Sequence, residues 1–288
     1  MSYKGNIPRV AAIHDLSGVG RCSLSVILPI MSAMGIQVCP VPTAILSTHT
    51  GGFGDVTMRD LSDYISPTLS HYKALGLDFE CIYSGFLAST GQIDHCLEFF
   101  RSYSDSLKVV DPVMADHGKP YKTCTRELRS RMSELVAVAD IITPNLTEAY
   151  MLLGEEPSLM PLSSTQLKSL LVRLSELGPD IVVITSVFLG SQTCNVGYDR
   201  KNNKFWKVIY ERVNVNYPGT GDAYAAVLTG SLLNGDSLPI ALSRASAFLE
   251  YAIKTTYGYG TDTREGVMLE RCLDFLINKQ SLCDYELL

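Results

Sequence analysis

Charge is scarce in this 288-residue chain: Asp, Glu, Lys and Arg make up 19% of it, below the roughly one quarter of an average soluble domain. With 46% hydrophobic residues, that scarcity excludes a disordered chain, which lacks the apolar surface whose burial offsets ordering entropy. No block of Lys or Arg occurs and the formal net charge is −6. This excludes the clustered cations on which binding to a nucleic-acid backbone depends, so nucleic acid is not an expected partner. CxxC is missing, because the eight cysteines lie at least 11 residues apart; paired zinc spacing is excluded, and reduced, mostly buried thiols are expected. The five histidines, at 14, 49, 71, 95 and 117, form no HxxxH pair. No apolar run follows the positive charges of MSYKGNIPRV, so a secretory signal is not expected and the protein reads as cytoplasmic. Residues 22–54 hold no charged side chain, yet Pro29, Gly35, Pro40 and Pro42 break them into pieces too short to span a bilayer. They read as buried helix followed by strand, with no membrane partner.

What is present is an alternation of short apolar runs and helical patterns, the signature of βαβ units around a mostly parallel sheet. The expected fold class is α/β, a three-layer α/β/α arrangement, with residues 1–288 as one domain. Strands are predicted at Val10–Ile13, Ile36–Thr43, Cys81–Ser84, Lys108–Asp111, Asp140–Thr143 and Ile181–Thr185, then an antiparallel pair at Thr193–Tyr198 and Lys204–Tyr210. Helices are predicted at 21–34, 91–104, 123–138, 145–153, 164–176, 221–234, 238–256 and 264–278. Asp15, Asp111, Thr143 and Thr185 close or follow strands, and ligands of open α/β sheets lie beyond the carboxyl ends of strands.

The sharpest local feature is Pro218-Gly219-Thr220-Gly221-Asp222 ahead of an apolar helix. Small residues let backbone approach a ligand, and free N–H groups at a helix amino end favour an anion. A carboxylate there repels an anion but suits a base that takes a proton from an attacking hydroxyl; it also suits a helix cap. Asp111 and Asp116 flank a turn after a strand, where paired carboxylates suit a hard cation or simply organise the turn. Asn145 and Glu148 have capping-box spacing. Gly18-Val19-Gly20 lacks the third glycine of a dinucleotide fingerprint, which argues against an oxidoreductase of that type.

GTGDAYAA at 219–226 resembles the anion-hole motif of the ribokinase-like superfamily of small-molecule kinases. AILSTHTGG at 44–52, YSGFLAS at 83–89, KVVDPVMAD at 108–116, DIITPNLTEA at 140–149 and VVITS at 182–186 are similar, in order, to strings of its pyridoxal (vitamin B6) kinase branch. The resemblance implies a ribokinase-like fold and an enzyme that transfers phosphoryl from ATP, with Mg2+, to the 5′-hydroxymethyl of pyridoxal, pyridoxamine or pyridoxine. It leaves a monovalent cation open and implies a homodimer. It implies Asp222 as catalytic base and Gly219, Thr220 and Gly221 as the anion hole. Asp15, Ser17, Thr50 and Phe86 fall at substrate-binding positions. Asp111, Asp116, Thr143, Asn145, Thr185, Ser186 and Thr220 fall on the nucleotide side, with Glu148 and Asp111 toward the metal. Tyr257 to Gly260 could line the adenine pocket or only end a helix.

Two departures bear on specificity. Phe86 stands where relatives carry Tyr, and His14-Asp15-Leu16-Ser17 differs from the glutamine-serine pair of animal-type enzymes. A hydroxymethylpyrimidine kinase of thiamine synthesis is the alternative enzyme; a non-catalytic heterocycle-binding protein of the same fold is the alternative from another class. Residues 279–288 are expected either to fray or to help dimerise.

Overall fold

The computed structural model describes residues 7–158, 160–277 and 284–288. The chain starts as β1 (Arg9–Val19), α1 (Leu24–Ala33), β2 (Gln37–Thr48), β3 (Met58–Asp60) and α2 (Ser62–Ala74). It continues through β4 (Cys81–Ser84), α3 (Thr90–Ser102), β5 (Leu107–Val110), the two-residue strands β6 (Ala115–Asp116) and β7 (Lys119–Pro120), and α4 (Arg126–Val136). There follow β8 (Ile141–Ile142), α5 (Leu146–Leu152), α6 (Ser164–Glu176), β9 (Ile181–Leu189), β10 (Gln192–Asp199) and β11 (Lys204–Ile209). The last third holds α7 (Thr220–Leu233), α8 (Leu238–Tyr259), α9 (Asp274–Ile277) and β12 (Tyr285–Leu287).

Ten strands form one sheet in the order β12-β11-β10-β9-β8-β5-β4-β1-β2-β3. From β9 to β2 neighbouring strands run parallel, and antiparallel strands extend both edges. Because successive side chains of a strand point to opposite faces, β1 serves two cores at once. Val10 and Ala12 pack with α1, α7 and α8 on one face, whereas Ala11 and Ile13 pack with α2, α3, α4 and α6 on the other. This is the expected three-layer α/β/α class. The charge-poor stretch 22–54 becomes α1, fully buried at Leu24, Val26, Ile27, Ile30 and Met31, and then β2. Among the described residues no helix is long and apolar enough to cross a membrane.

Several boundaries differ from expectation. Strand β1 runs on to Val19, so Asp15 and Ser17 lie in a strand rather than a loop; a register shift against β2 between His14 and Leu16 marks the bend. Gly18 and Gly20 sit where this bulged strand ends. Helix α1 starts at Leu24 rather than Arg21, because Ser23 takes a left-handed φ of 59° and its side chain makes no cap hydrogen bond. Helix α2, weakly patterned, was not expected from the sequence. The predicted helix 264–278 is two 3-10 turns, Thr263–Glu265 and Leu269–Arg271, before α9, with Gly266 at φ 76° between them. Residue 278 and residues 279–283 lie outside the described residues; Tyr285–Leu287 pair with β11 as an edge strand.

Candidate active site

The carboxyl ends of the parallel strands open into a cleft of about 840 Å³, within the range of small-molecule sites. Asp15, Thr50, Phe86, Asp111, Asp116, Thr143, Asn145, Glu148, Thr185, Ser186 and Gly219 to Asp222 all line it. Ser17 is the exception: it does not line the cleft, and its buried hydroxyl donates to Asp15 Oδ2 at 3.2 Å. Tyr257 and Tyr259 are exposed at the end of α8, where Gly260 caps the helix in left-handed conformation, so this segment is the helix-ending turn.

The glycine turn is fixed by sterics. Gly219 is the N-cap of α7 at φ 77°, and a Cβ there would stand 2.1 Å from the Arg21 carbonyl oxygen, which is backbone and cannot rotate away. The first intrahelical bond runs from Ala223 N–H to Gly219 O at 2.9 Å. The N–H groups of Thr220, Gly221 and Asp222 precede it, at the positive end of a 14-residue helix. Gly221 is exposed to the cleft, and the Thr220 hydroxyl donates to Tyr217 O at 3.0 Å. This turn can receive a phosphoryl group on amides alone.

Asp222 stands in the first turn of α7, 7% exposed. The Ser23 backbone N–H donates to its Oδ2 at 2.7 Å, the Cys22 thiol approaches the same oxygen at 3.3 Å, and His14 Nε2 lies 3.2 Å from Oδ1. Burial pushes its pKa up, but the hydrogen bond and charge of His14, with the Ser23 and Cys22 contacts, outweigh burial and hold it below the usual carboxylate value. For His14, burial works against the charged ring, but hydrogen bonds to Asp15 and Asp222 and their charges overcome it and raise the imidazole to about 10. His14, Cys22 and Ser23 were not singled out as site residues from the sequence. The only local signal was a histidine beside a strand-end aspartate; the 208-residue separation of His14 from Asp222 hid the rest.

The opposite wall is built on α5. Asn145 caps that helix, and Glu148 completes the capping box expected from the spacing. Glu148 Oε2 accepts from Asn145 N–H at 2.9 Å, and Oε1 accepts from Met114 N–H at 2.9 Å and Ala115 N–H at 3.4 Å. Asn145 Nδ2 donates to Ala115 O at 2.7 Å, and Gly118 N–H donates to the Thr147 hydroxyl at 3.0 Å. The start of α5 therefore clamps the β6–β7 hairpin, and both Glu148 oxygens are engaged by backbone. Asp111 is buried on the cleft floor, whereas Asp116 is exposed on the hairpin, so the two carboxylates do not form the matched pair their spacing suggested. Burial, then the charge of Asp222, raises Asp111 to about 7; Tyr83 OH lies 3.3 Å from its Oδ2. Burial first, and then the Asp111 charge, pushes Glu148 well above its usual value, against the pull of its backbone donors. Thr185 and Ser186 face the cleft along β9; Ser186, at φ 57°, donates its N–H to Asn195 Oδ1 at 2.9 Å.

Residues 28–266 match the phosphomethylpyrimidine kinase family. A protein of Bacteroides thetaiotaomicron VPI-5482, provisionally described as a phosphomethylpyrimidine kinase and crystallised with pyridoxal, is 42% identical with a TM-score of 0.94, covering 98% of this chain and 100% of that one. Pyridoxal kinase from Lactobacillus plantarum is 32% identical with a TM-score of 0.87, covering 94% and 97%. The chloroplastic thiamine biosynthetic bifunctional enzyme of Arabidopsis thaliana is 25% identical over 86% of this chain; the chain spans only 47% of that relative's length. With the glycine turn, the buried aspartate beside it and this similarity in place, the chain belongs to the phosphomethylpyrimidine kinase family, kinases that phosphorylate a hydroxyl group.

Proposed function

We propose that the protein transfers the γ-phosphoryl group of ATP to the 5′-hydroxymethyl group of a B6 vitamer. The observation that carries this reading is Asp222, a buried carboxylate that accepts the Ser23 N–H at 2.7 Å and stands in the first turn of α7, beside the helix-end amides in the cleft. The acceptor oxygen attacks the γ-phosphorus as the bond to the β,γ-bridging oxygen breaks; the electron pair of that bond leaves with ADP, and the hydroxyl proton passes to Asp222. A carboxylate whose pKa lies below the usual value is a weak base toward a resting alcohol. It becomes adequate late, when bond formation to phosphorus has acidified the hydroxyl. The amides of Thr220, Gly221 and Asp222 stabilise charge on the transferring oxygens.

Mg2+ fits Asp111. That carboxylate is buried, is raised to about 7, and has no Lys or Arg partner among the described ion pairs. Among the described residues no cluster of three or more His, Cys, Asp or Glu could cage a metal; Mg2+ commonly uses one or two carboxylates, water and substrate phosphates instead. Bound there, it would neutralise phosphate charge. Glu148 fits better as the clamp of the hairpin than as a direct ligand, its oxygens already accepting three backbone N–H groups. Asp116, Thr143, Asn145, Thr185, Ser186 and Thr220 face the nucleotide, while Asp15, Thr50 and Phe86 surround the acceptor. The sheet that draws strands from Arg9 to Leu287 supports treating the chain as one kinase unit, and assembly as a homodimer belongs to the same proposal.

A B6 vitamer is favoured by the 42% identical relative crystallised with pyridoxal. Hydroxymethylpyrimidine is the second reading, favoured by the family matched over residues 28–266. ADP release with MgATP across pyridoxal, pyridoxamine, pyridoxine and hydroxymethylpyrimidine, with product masses, separates them. Turnover of the pyrimidine alone overturns the B6 assignment, and silence across the panel overturns both in favour of a binding protein.

A further inference from the structure

The floor of the cleft contains a chain of contacting side chains that runs from Ser17 through Asp15 and His14 to Asp222. Asp15 Oδ2 accepts the Ser17 hydroxyl at 3.2 Å, Asp15 Oδ1 lies 2.9 Å from His14 Nδ1, and His14 Nε2 lies 3.2 Å from Asp222 Oδ1. The histidine is 1% exposed. Its ring stacks with Tyr83 at 6.2 Å between centroids and an interplanar angle of 10°. On another side the ring abuts Gly85, where a Cβ would stand 2.0 Å from His14 Cδ2. A ring so enclosed cannot rotate, and its Nε2 has one polar destination in the described contacts, Asp222.

The charges converge on the same function. Facing His14 are Asp15 on its own strand, Asp222 from α7 and Tyr83 from β4, with Asp111 beyond Tyr83; Cys22, from the segment before α1, contacts the other oxygen of Asp222. Ion pairs in the described residues bring His14 to Asp15 and Asp222. Without it, two buried carboxylates would lose the ring that contacts them both, and the cheapest remedy for an unpartnered buried carboxylate is to take up a proton. A protonated Asp222 cannot accept one from the acceptor alcohol.

We propose that His14 is a positioning residue for phosphoryl transfer: its Nε2–H donates to Asp222 Oδ1, keeps that carboxylate ionised and fixes its orientation toward the acceptor hydroxyl. The inference rests on the kinase reading above. The proton of the alcohol ends on Asp222, and His14 keeps its own throughout.

The test combines kinetics with a measurement that needs no turnover. His14→Ala is expected to lower kcat on the order of 100-fold, the scale of a lost orienting or charge-stabilising hydrogen bond, while KM for ATP stays within about threefold. His14→Gln, which restores a neutral donor on a side chain of similar reach, is expected to recover about tenfold of that loss. Gly85→Ala, which displaces the ring without removing it, is expected to lower kcat in the same way. A His14→Ala kcat within about threefold of the parent overturns the proposal, as does a Gln variant no better than Ala. In the parent chain labelled with 15N-histidine, the Nε2 resonance of His14 is expected in the protonated range at neutral pH; a bare Nε2 overturns the proposal even if a variant fails to fold. If the parent turns over no acceptor, the kinase reading fails, and the ring-nitrogen resonance still decides whether His14 donates to Asp222.

Discussion

The two walls of the cleft are made by different physics. On the floor, beneath the glycine turn, His14, Asp15, Asp111 and Asp222 are between 1% and 7% exposed; backbone fixes Asp222, through Gly219 against the Arg21 carbonyl and Ser23 N–H on its carboxylate, and side chains tie His14 to Asp15 and Asp222 and Asp111 to Tyr83. On the rim, Thr50, Gly51, Gly52, Asp116 and Ser186 are exposed, and the β6–β7 hairpin is attached through a handful of polar contacts to α5. Chemistry that must be preorganised sits where packing over-determines it, and contacts that must admit and release ligands sit where local stability is low.

Substitutions that strike the floor are expected to break activity, and those on the rim to shift affinity. The largest effect is expected from Gly219→Ala. Its Cβ meets a carbonyl oxygen at 2.1 Å while φ stays at 77°, so turnover is expected to fall on the order of 1,000-fold or more, with a drop in Tm of several degrees. Wild-type turnover in this variant would break the comparison. Next comes Asp222→Asn: a loss of about 10² to 10⁴-fold in kcat is expected, the usual range for removing a general base, with ATP affinity by calorimetry little changed. Glu148→Gln tests the rim clamp. The amide replaces one acceptor oxygen by a donor facing backbone N–H groups, so a destabilisation of about 1–3 kcal/mol and faster proteolysis within residues 114–120 are expected, with KM for ATP raised more than kcat is lowered. Thr125→Ala, which removes an N-cap acceptor of Leu128 N–H at 3.1 Å outside the cleft, is expected to cost about 1 kcal/mol in denaturant melts with kcat unchanged. The smallest effect is expected from Phe86→Tyr, which adds a hydroxyl beside a half-buried ring lining the cleft. It should change the ratio of pyridoxal to pyridoxine turnover by less than about tenfold and leave ATP kinetics alone.

Legibility in the sequence followed the range of the interactions. Elements with strong local periodicity were readable: of the antiparallel pair, Thr193–Tyr198 lies within β10 and Lys204–Tyr210 overruns β11 by one residue, and the helix predicted at 238–256 is the body of α8. Capping chemistry was readable because it spans three residues, as at Asn145 and Glu148. The bulged continuation of β1 was not, since Asp15 to Gly20 carries turn-forming residues and only pairing with β2 draws it into the sheet. Helix 264–278 was overcalled because its apolar spacing reflects burial of Val267, Leu269, Cys272 and Leu276 against α1 and α8, not an uninterrupted helix.

By itself the sequence determined the α/β class, the sheet's central strands, the glycine turn ahead of α7 and the residue types along one edge of that sheet, because periodicity, glycine placement and strand-end polarity act over a few positions. Only the tertiary structure decided what those residues touch. It separated Asp111 on the floor from Asp116 on the rim, turned Glu148 toward three backbone amides, removed Ser17 from the cleft, and set His14 on Asp222 across 208 residues of chain. The reason is physical: hydrogen-bond partners and the electrostatics of burial depend on distances in space, and no spacing along the chain encodes them.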